Sequence, residues 1–230
     1  MEYYHSLGSL KSKDMAFILK SPVDFVFMTL KILEHIITWG KSEKATDVVT
    51  PYIYVNTDEL HRAFIVKSDH IVSFAFPFAI YTRRGSEQIY VNDRSVTLDA
   101  ALISKATSIA NDYKNTKSFA DVAKSLDLTD SLVRNAASLF ETILSIEPSY
   151  MRYDYDKTSS KGLVHPTYHL DVNYTPASTY KLGLYKPATL PKILSILSKT
   201  KSCFYLEKYI FKWYSKVKRK IRRYTHKRRS

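Results

Sequence analysis

Residues 165–174 read His165-Pro166-Thr167-Tyr168-His169-Leu170-Asp171-Val172-Asn173-Tyr174, and their polar and apolar side chains alternate with a period of two. A β-strand imposes that period, because successive side chains point to opposite faces of a sheet. One predicted face carries only polar or ionisable groups, and the other is apolar or aromatic. The stretch therefore predicts a strand whose two faces meet different surroundings.

The segments on either side of this stretch alternate in the same way. Arg152 and Asp154 share one side of the preceding segment, and Lys181 lies on one side of residues 178–185. Three successive strands joined by turns would bring these groups onto the same surface as His169 and Asp171. We therefore expect an antiparallel three-stranded unit with one ionisable face.

Two interpretations of that face stay open. An antiparallel sheet commonly packs one face on the core and exposes the other to solvent, so alternation alone predicts only a half-buried sheet. Most solvated faces, however, consist of Lys, Glu, Ser and Thr, whereas this one combines Asp, His, Arg and Asn without Glu. The second interpretation is a functional site with six candidate catalytic residues: His169, Asp171, Asp154, Arg152, Lys181 and His165.

Two kinds of phosphodiester chemistry fit these residue types. In a metal-free reaction, His169 acts as general acid or base while Arg152 or Lys181 stabilises charge on the phosphate. In a metal-dependent reaction, the carboxylates and a histidine hold Mg²⁺ or Mn²⁺, with Asn173 or Asp154 completing the set of ligands. His165 and His169 lie about 13 Å apart along a regular strand, so one ion cannot bind both unless the chain bends.

The composition excludes several classes of protein. The chain has 230 residues, 45% of them hydrophobic, which predicts a folded protein with a sizeable core. A single cysteine, Cys203, excludes a disulfide framework and a cysteine-based zinc site. Only five glycines are present and none forms a phosphate-binding loop. We find neither a signal peptide nor a membrane span, and expect a cytoplasmic location.

The positive charge is concentrated at the C-terminus. Of the formal net charge of +13, residues 199–230 supply thirteen Lys and Arg against one acid, Glu207, so the preceding 198 residues are nearly neutral. Such asymmetry indicates a polyanionic partner, for which we favour RNA or DNA over a membrane surface. The candidate nucleic-acid-binding residues are Lys212, Lys216, Lys218, Arg219, Lys220, Arg222, Arg223, Lys227, Arg228 and Arg229.

The remaining patterns predict an α+β fold in which antiparallel sheets pack with helices. Ser21 as N-cap, Pro22 at the first helical position and Gly40 as a stop predict a helix ending at Trp39. The predicted body, residues 1–198, contains N-terminal helices, a β-meander over 52–97, a helical hairpin over 98–147 and a second meander over 150–185. Residues 199–230 are predicted to form a basic C-terminal helix and tail.

Residues 118–135 resemble the helix-turn-helix of DNA-binding regulators. Ala123 would allow close helix crossing, Asp127 occupies the turn, and Thr129 is the predicted N-cap of a second helix carrying Arg134. An ordinary αα-hairpin is the alternative, because two acids and one base suit a phosphate-facing surface poorly.

The segments 152–156, 165–170 and 180–184 together resemble an uncharacterised bacterial family, a domain of unknown function. Its members have an Arg-Phe/Tyr-Asp-Tyr-Asp strand, then a His-Pro-x-x-His-Leu strand, a further strand and a C-terminal helix, which here begins near Leu190. The resemblance covers roughly residues 150–210. Members tend to be small and basic and are often found near phage-defence or mobile-element genes. They carry His where this chain has Asp171.

These observations support three functional hypotheses. The first is a nuclease-like component of a phage-defence or toxin system that acts on nucleic acid through the ionisable face. The second is a non-catalytic nucleic-acid-binding subunit of a larger defence complex, in which that face meets a protein partner. The third is a DNA-binding regulator that uses the helical hairpin.

Overall fold

The α+β fold predicted from the sequence is confirmed. The computed structural model describes residues 1–7, 19–40, 42–82, 89–93, 96–162, 164–173 and 180–202. Five helices lie in these ranges: α1 (Pro22–Trp39), α2 (Ala100–Thr116), α3 (Phe119–Ser125), α4 (Ser131–Ser145) and α5 (Leu190–Leu197). The ten strands are β1 (Glu2–Ser6), β2 (Tyr52–Asn56), β3 (Arg62–Val66), β4 (His70–Ala75), β5 (Ala79–Thr82), β6 (Ile89–Asp93), β7 (Val96–Thr97), β8 (Met151–Tyr155), β9 (Tyr168–Val172) and β10 (Tyr180–Leu184).

Seven strands form one antiparallel sheet in the order β1-β2-β3-β4-β8-β9-β10. Strands β2 to β4 and β8 to β10 are two meanders, and pairing between β4 and β8 joins them into a single sheet. The predicted meander over 52–97 is divided, because the chain leaves the sheet after Ala75 and β5 pairs with β6 and β7 elsewhere. Pro77 lies in that break, and a proline has no N–H to donate to a neighbouring strand.

Helix α1 begins and ends at the predicted residues. The Ser21 side chain accepts a hydrogen bond from the Asp24 N–H, and Pro22 occupies the first helical position. Gly40 takes the left-handed conformation with φ of 58°, and its N–H donates to the Ile36 carbonyl. Helix α1 packs one face on the sheet, where Phe25 meets Phe74 edge to face at a ring separation of 5.8 Å.

The hydrophobic core lies between helices α1, α2 and α4 and one face of strands β1 to β4. Ala63, Ile65, Val72 and Phe74 belong to this face and are fully buried. Strand register carries the same face across β8, because Val72 lies opposite Arg152. The ionisable side chains of β8 to β10 therefore continue the core-facing side of the sheet.

The opposite face of β8 and β9 is apolar, as the alternation predicts. Met151, Tyr153 and Leu170 are buried there. The Tyr153 hydroxyl is hydrogen-bonded to the backbone of Ala188, which follows β10. Both faces of β8 and β9 are thus largely shielded from solvent, so the ionisable groups do not form an ordinary solvent-exposed face.

The chain forms two compact units, Met1–Leu190 and Pro191–Ser230. The described part of the second unit, residues 191–202, contains most of α5 and a following turn. All ten candidate nucleic-acid-binding residues, from Lys212 to Arg229, lie outside the described residues.

Candidate functional site

Five of the six candidate catalytic side chains come together on adjacent strands. Arg152 on β8 lies opposite Asp171 on β9, which lies opposite Lys181 on β10. One row further along, Asp154 lies opposite His169. We call these five residues the rung cluster: Arg152, Asp154, His169, Asp171 and Lys181.

Ion pairs connect the charged members of the rung cluster. Arg152 Nη2 lies 2.6 Å from Asp154 Oδ2 and 2.7 Å from Asp171 Oδ2, while its Nε donates to Asp154 Oδ2 at 2.9 Å. Lys181 Nζ donates to the other oxygen of Asp171, Oδ1, at 2.7 Å. Two cations thus balance two carboxylates within the cluster. Burial disfavours the charged guanidinium, but the hydrogen bond and negative charge of Asp154, with further help from Asp171, raise the pKa of Arg152.

His169 is held in one tautomer. Its Nδ1 lies 2.8 Å from the Pro166 carbonyl oxygen, which only accepts hydrogen bonds, so the ring proton resides on Nδ1. Nε2 lies 3.1 Å from Lys181 Nζ, and because an ammonium group can only donate, Nε2 is the acceptor in that contact. Nε2 also lies 3.4 Å from Asp154 Oδ2 and 3.8 Å from Asp171 Oδ1. His169 is 1% exposed, so this lone pair is directed into the cluster and away from solvent.

Gly183 makes the contact between Pro166 and the sheet possible. It lies opposite His169 on β10. A Cβ atom at residue 183 would lie 2.9 Å from Pro166 Cγ, closer than side-chain carbons approach in proteins. The missing side chain therefore lets the turn before β9 pack beside β10, where the Pro166 carbonyl reaches the imidazole.

The members of the rung cluster differ in their exposure to solvent, and the most exposed one lies on the edge strand β10. The side-chain exposed fraction is 7% for Asp171, 15% for Arg152, 19% for Asp154 and 36% for Lys181. Strand β10 is the last in the sheet order, and Lys181 is the member of the rung cluster that lies on it. Lys181 is therefore the member of the cluster that solvent and solutes contact most.

Three members of the cluster could hold a metal ion. Asp154, His169 and Asp171 each offer one ligand atom, and these atoms all lie within 4.8 Å of one another. Of the two residues suggested by sequence to complete such a set, Asp154 belongs to it. Asn173 lies just beyond the end of β9 at φ of 71°, and its N–H donates to the Tyr150 carbonyl.

His165 lies beside the cluster and outside the strand. Its ring meets the His169 ring edge to face at 4.8 Å, and its Nε2 lies 3.3 Å from Asp156 Oδ2. Backbone and side-chain hydrogen bonds from the turn, led by the Ser159 N–H, hold the pKa of Asp156 well below its ordinary value. His165 thus packs against the imidazole without joining the ion pairs, and the sixth candidate is a neighbour of the cluster.

Three further residues at the site are absent from the sequence-based prediction. His70 on β4 lies opposite Asp154, and burial lowers its pKa. Tyr150 precedes β8, hydrogen-bonds Arg152, and has its pKa raised by burial to about 12. No local pattern identifies His70, because the pairing of β4 with β8 joins distant parts of the chain. Gly183 could have been identified from the sequence, since a glycine inside a predicted strand often marks a place where another part of the chain approaches closely.

The helical hairpin differs from its prediction at the start of the second helix. Asp130, rather than Thr129, is the N-cap of α4, and its carboxylate accepts from the Leu132 N–H. The N–H and the hydroxyl of Thr129 instead donate to Asp127 Oδ1. Short polar side chains such as Asp often bond nearby backbone groups in this way, in competition with helix formation. The Arg134 guanidinium donates to the Leu128 carbonyl within the same turn, so the hairpin's one predicted contact to phosphate already has a local partner.

Comparison of the chain with protein-family models, with curated proteins and with solved structures finds no match. Within the part of the chain that the structure describes, no helix is both long and apolar enough to cross a membrane.

Proposed function

We propose that the protein cleaves phosphodiester bonds of nucleic acid, with the rung cluster as its catalytic centre and a divalent cation held by Asp154, His169 and Asp171. The observation that carries the proposal is the orientation of His169. Its Nδ1–H is fixed by a backbone carbonyl while Nε2 faces two carboxylate oxygens. Histidines that ligate metals almost always donate their other ring N–H to such a partner, which sets the tautomer and orients the ring.

The donor set favours Mn²⁺ over Mg²⁺. Carboxylates suit both ions, whereas an imidazole nitrogen is a better ligand for transition metals than for Mg²⁺. A cation bound there would polarise a phosphoryl oxygen and lower the pKa of a bound water. The chain's own residues would orient the substrate: Arg152 and Lys181 are the cations nearest to the ligand atoms, and both guanidinium and ammonium groups bind phosphate.

The charge distribution supports nucleic acid as the substrate. Residues 199–230 carry thirteen bases and one acid, whereas the rung cluster is close to neutral. A basic tail supplies affinity for phosphates without sequence preference, and the cluster would supply the chemistry. Membership of a phage-defence or toxin system is the biological setting that we propose on the basis of the family resemblance.

The test is a degradation time course on labelled RNA, single-stranded DNA and duplex DNA with Mg²⁺, Mn²⁺ or EDTA. We expect cleavage of at least one substrate, strongest with Mn²⁺ and abolished by EDTA. His169→Ala should remove it, whereas His61→Asn should not, because His61 is exposed at φ of 48° and Asn accepts that conformation. Cleavage by a folded His169→Ala variant at the wild-type rate would refute the assignment.

A non-catalytic nucleic-acid-binding subunit is the second candidate, and one observation favours it. Each carboxylate of the rung cluster already contacts a cation, so the cluster can serve as an internal ion-pair network. In that case the protein retains labelled nucleic acid without degrading it, and His169→Ala leaves the affinity unchanged. Retention without cleavage under every metal condition would favour this function over the first.

A further inference from the structure

The Lys181 ammonium group lies where a metal ion of the rung cluster would lie. Its Nζ is 2.7 Å from Asp171 Oδ1 and 3.1 Å from His169 Nε2, two of the three candidate ligand groups. Because the ring proton is on Nδ1, the ammonium donates to the same Nε2 lone pair that a metal would use. An ammonium at this position and a bound metal ion therefore exclude each other.

Arg152 contacts the third candidate ligand group, Asp154, whose Oδ2 accepts from both Nε and Nη2 of the guanidinium. Its guanidinium contacts the other oxygen of Asp171, Oδ2, and is anchored a second time by Asp154. It is also the less exposed of the two cations, at 15% against 36% for Lys181. A guanidinium held by two carboxylates is a fixed part of the site, whereas the lysine has a flexible four-carbon stem on the edge strand.

We propose that Lys181 is an internal counter-ion that occupies the cation position of the rung cluster and must swing out before a divalent ion binds. The proposal rests on the metal-dependent form of the proposed function. A monovalent and a divalent cation a few ångströms apart repel each other, so metal binding requires the ammonium to leave. A substrate phosphate beside β10 offers the displaced ammonium an anionic partner. Metal and substrate then favour each other's binding, and by linkage the effect is reciprocal.

The test measures Mn²⁺ binding to the full chain by electron paramagnetic resonance, without nucleic acid. Lys181→Met removes the competing charge and keeps the length of the side chain. We expect its Kd for Mn²⁺ to be lower than the wild-type value by about tenfold or more. Lys186→Met is the matched control, because it removes an exposed lysine just after β10, outside the cluster, and should leave the Kd unchanged.

Two further variants complete the experiment. His169→Ala combined with Lys181→Met should abolish the gain in affinity, because it removes one of the ligands that the ammonium covers. Lys181→Gln, which is uncharged and keeps a hydrogen-bond donor, gives the same measurement if Lys181→Met does not fold. Mn²⁺ affinity in a folded Lys181 variant that is equal to or weaker than that of the wild type would overturn the proposal.

This result separates the two proposals. Tighter Mn²⁺ binding in the Lys181 variants, with no degradation by any form of the protein, would leave the counter-ion role standing and remove the catalytic one. Degradation that EDTA abolishes, with the same Mn²⁺ affinity in the wild type and the Lys181 variants, would support the catalytic role and overturn the counter-ion role.

Discussion

The absence of a side chain at Gly183 allows Pro166 to pack beside β10 and orient His169. A methyl group there would meet Pro166 Cγ at 2.9 Å, so Gly183→Ala must displace the proline and with it the carbonyl that holds the Nδ1 proton. We expect a loss of about 1–3 kcal/mol in the free energy of unfolding from the forced displacement. In ¹⁵N NMR spectra of the imidazole, we expect signals of both tautomers to replace those of the single Nδ1–H form.

Gly162→Asn is the control for that substitution. Gly162 has a φ of 59°, and a Cβ atom at this residue would have no neighbouring atom within 4 Å. Asn tolerates this backbone region better than most residues. The His169 tautomer should be the same as in the wild type. An unchanged tautomer in Gly183→Ala would show that the Pro166 carbonyl does not control the ring.

The alternation of side chains predicted which residues of β8, β9 and β10 share a face, and the structure brings Arg152, Asp154, His169, Asp171 and Lys181 together. This succeeds because strand periodicity is a local property. The burial of His169 and Asp171 could not be predicted in the same way, since it depends on packing from other parts of the chain. Sequence alone also could not show that each carboxylate already contacts a cation.

Segment 42–43 protects the outer edge of β1, a strand that is absent from the sequence-based prediction. The Glu43 N–H donates to the Tyr4 carbonyl, and the Tyr4 N–H donates to Ser42 Oγ. The Glu43 carboxylate accepts from both the N–H and the hydroxyl of Ser6. Such cover is one way in which proteins keep an edge strand from pairing with other chains.

These contacts predict how stability depends on pH. Partial burial opposes ionisation of Glu43, but hydrogen bonds from Ser6 and the nearby His5 and His35 outweigh it and lower the pKa of Glu43 below 4.5. A carboxyl group with a lowered pKa in the folded state stabilises the fold above its unfolded-state pKa. That contribution disappears as the pH falls through the folded-state value.

We therefore expect the wild-type free energy of unfolding to fall more steeply between about pH 5 and pH 3 than that of Glu43→Gln. Urea denaturation at a series of pH values measures the difference, and the two proteins should converge at the acidic end. Glu141→Gln provides a control, since Glu141 is an exposed residue on α4. Parallel pH profiles for the wild type and Glu43→Gln would contradict the role of this carboxylate in holding β1.

Helix α1 and strand β1 show why some elements were predicted and others were not. The bounds of α1 follow from Ser21, Pro22 and Gly40, which act within one turn of the helix ends. Strand β1 depends on pairing with β2 and on cover from segment 42–43, neither of which its own five residues reveal. Pairing of β4 with β8 is likewise a long-range event, so the joining of two meanders into one sheet was beyond local patterns.

The whole molecule combines a nearly neutral body with a strongly basic C-terminal segment. Deleting residues 216–230 removes nine Lys and Arg residues. We expect nucleic-acid affinity to fall for every sequence tested and its dependence on salt concentration to become shallower, because fewer counter-ions are released on binding. Filter binding at several salt concentrations measures both quantities. An unchanged salt dependence after the deletion would show that the tail is not the phosphate-binding element.

Asp154 and Asp156 offer the most direct test of the rung cluster as a catalytic centre. The two carboxylates are two residues apart, but Asp154 contacts Arg152 and His169, whereas Asp156 accepts hydrogen bonds from its own turn. Asparagine preserves the size of each side chain and can still accept the turn's hydrogen bonds.

The measurement is the single-turnover cleavage rate of Asp154→Asn and Asp156→Asn on the substrate that the wild type degrades. We expect the cleavage rate of Asp154→Asn to be at least about a hundredfold lower than that of the wild type. The cleavage rate of Asp156→Asn should equal the wild-type rate. Equal rates for the two variants, or no cleavage by the wild type on any substrate, would contradict a catalytic role for the cluster.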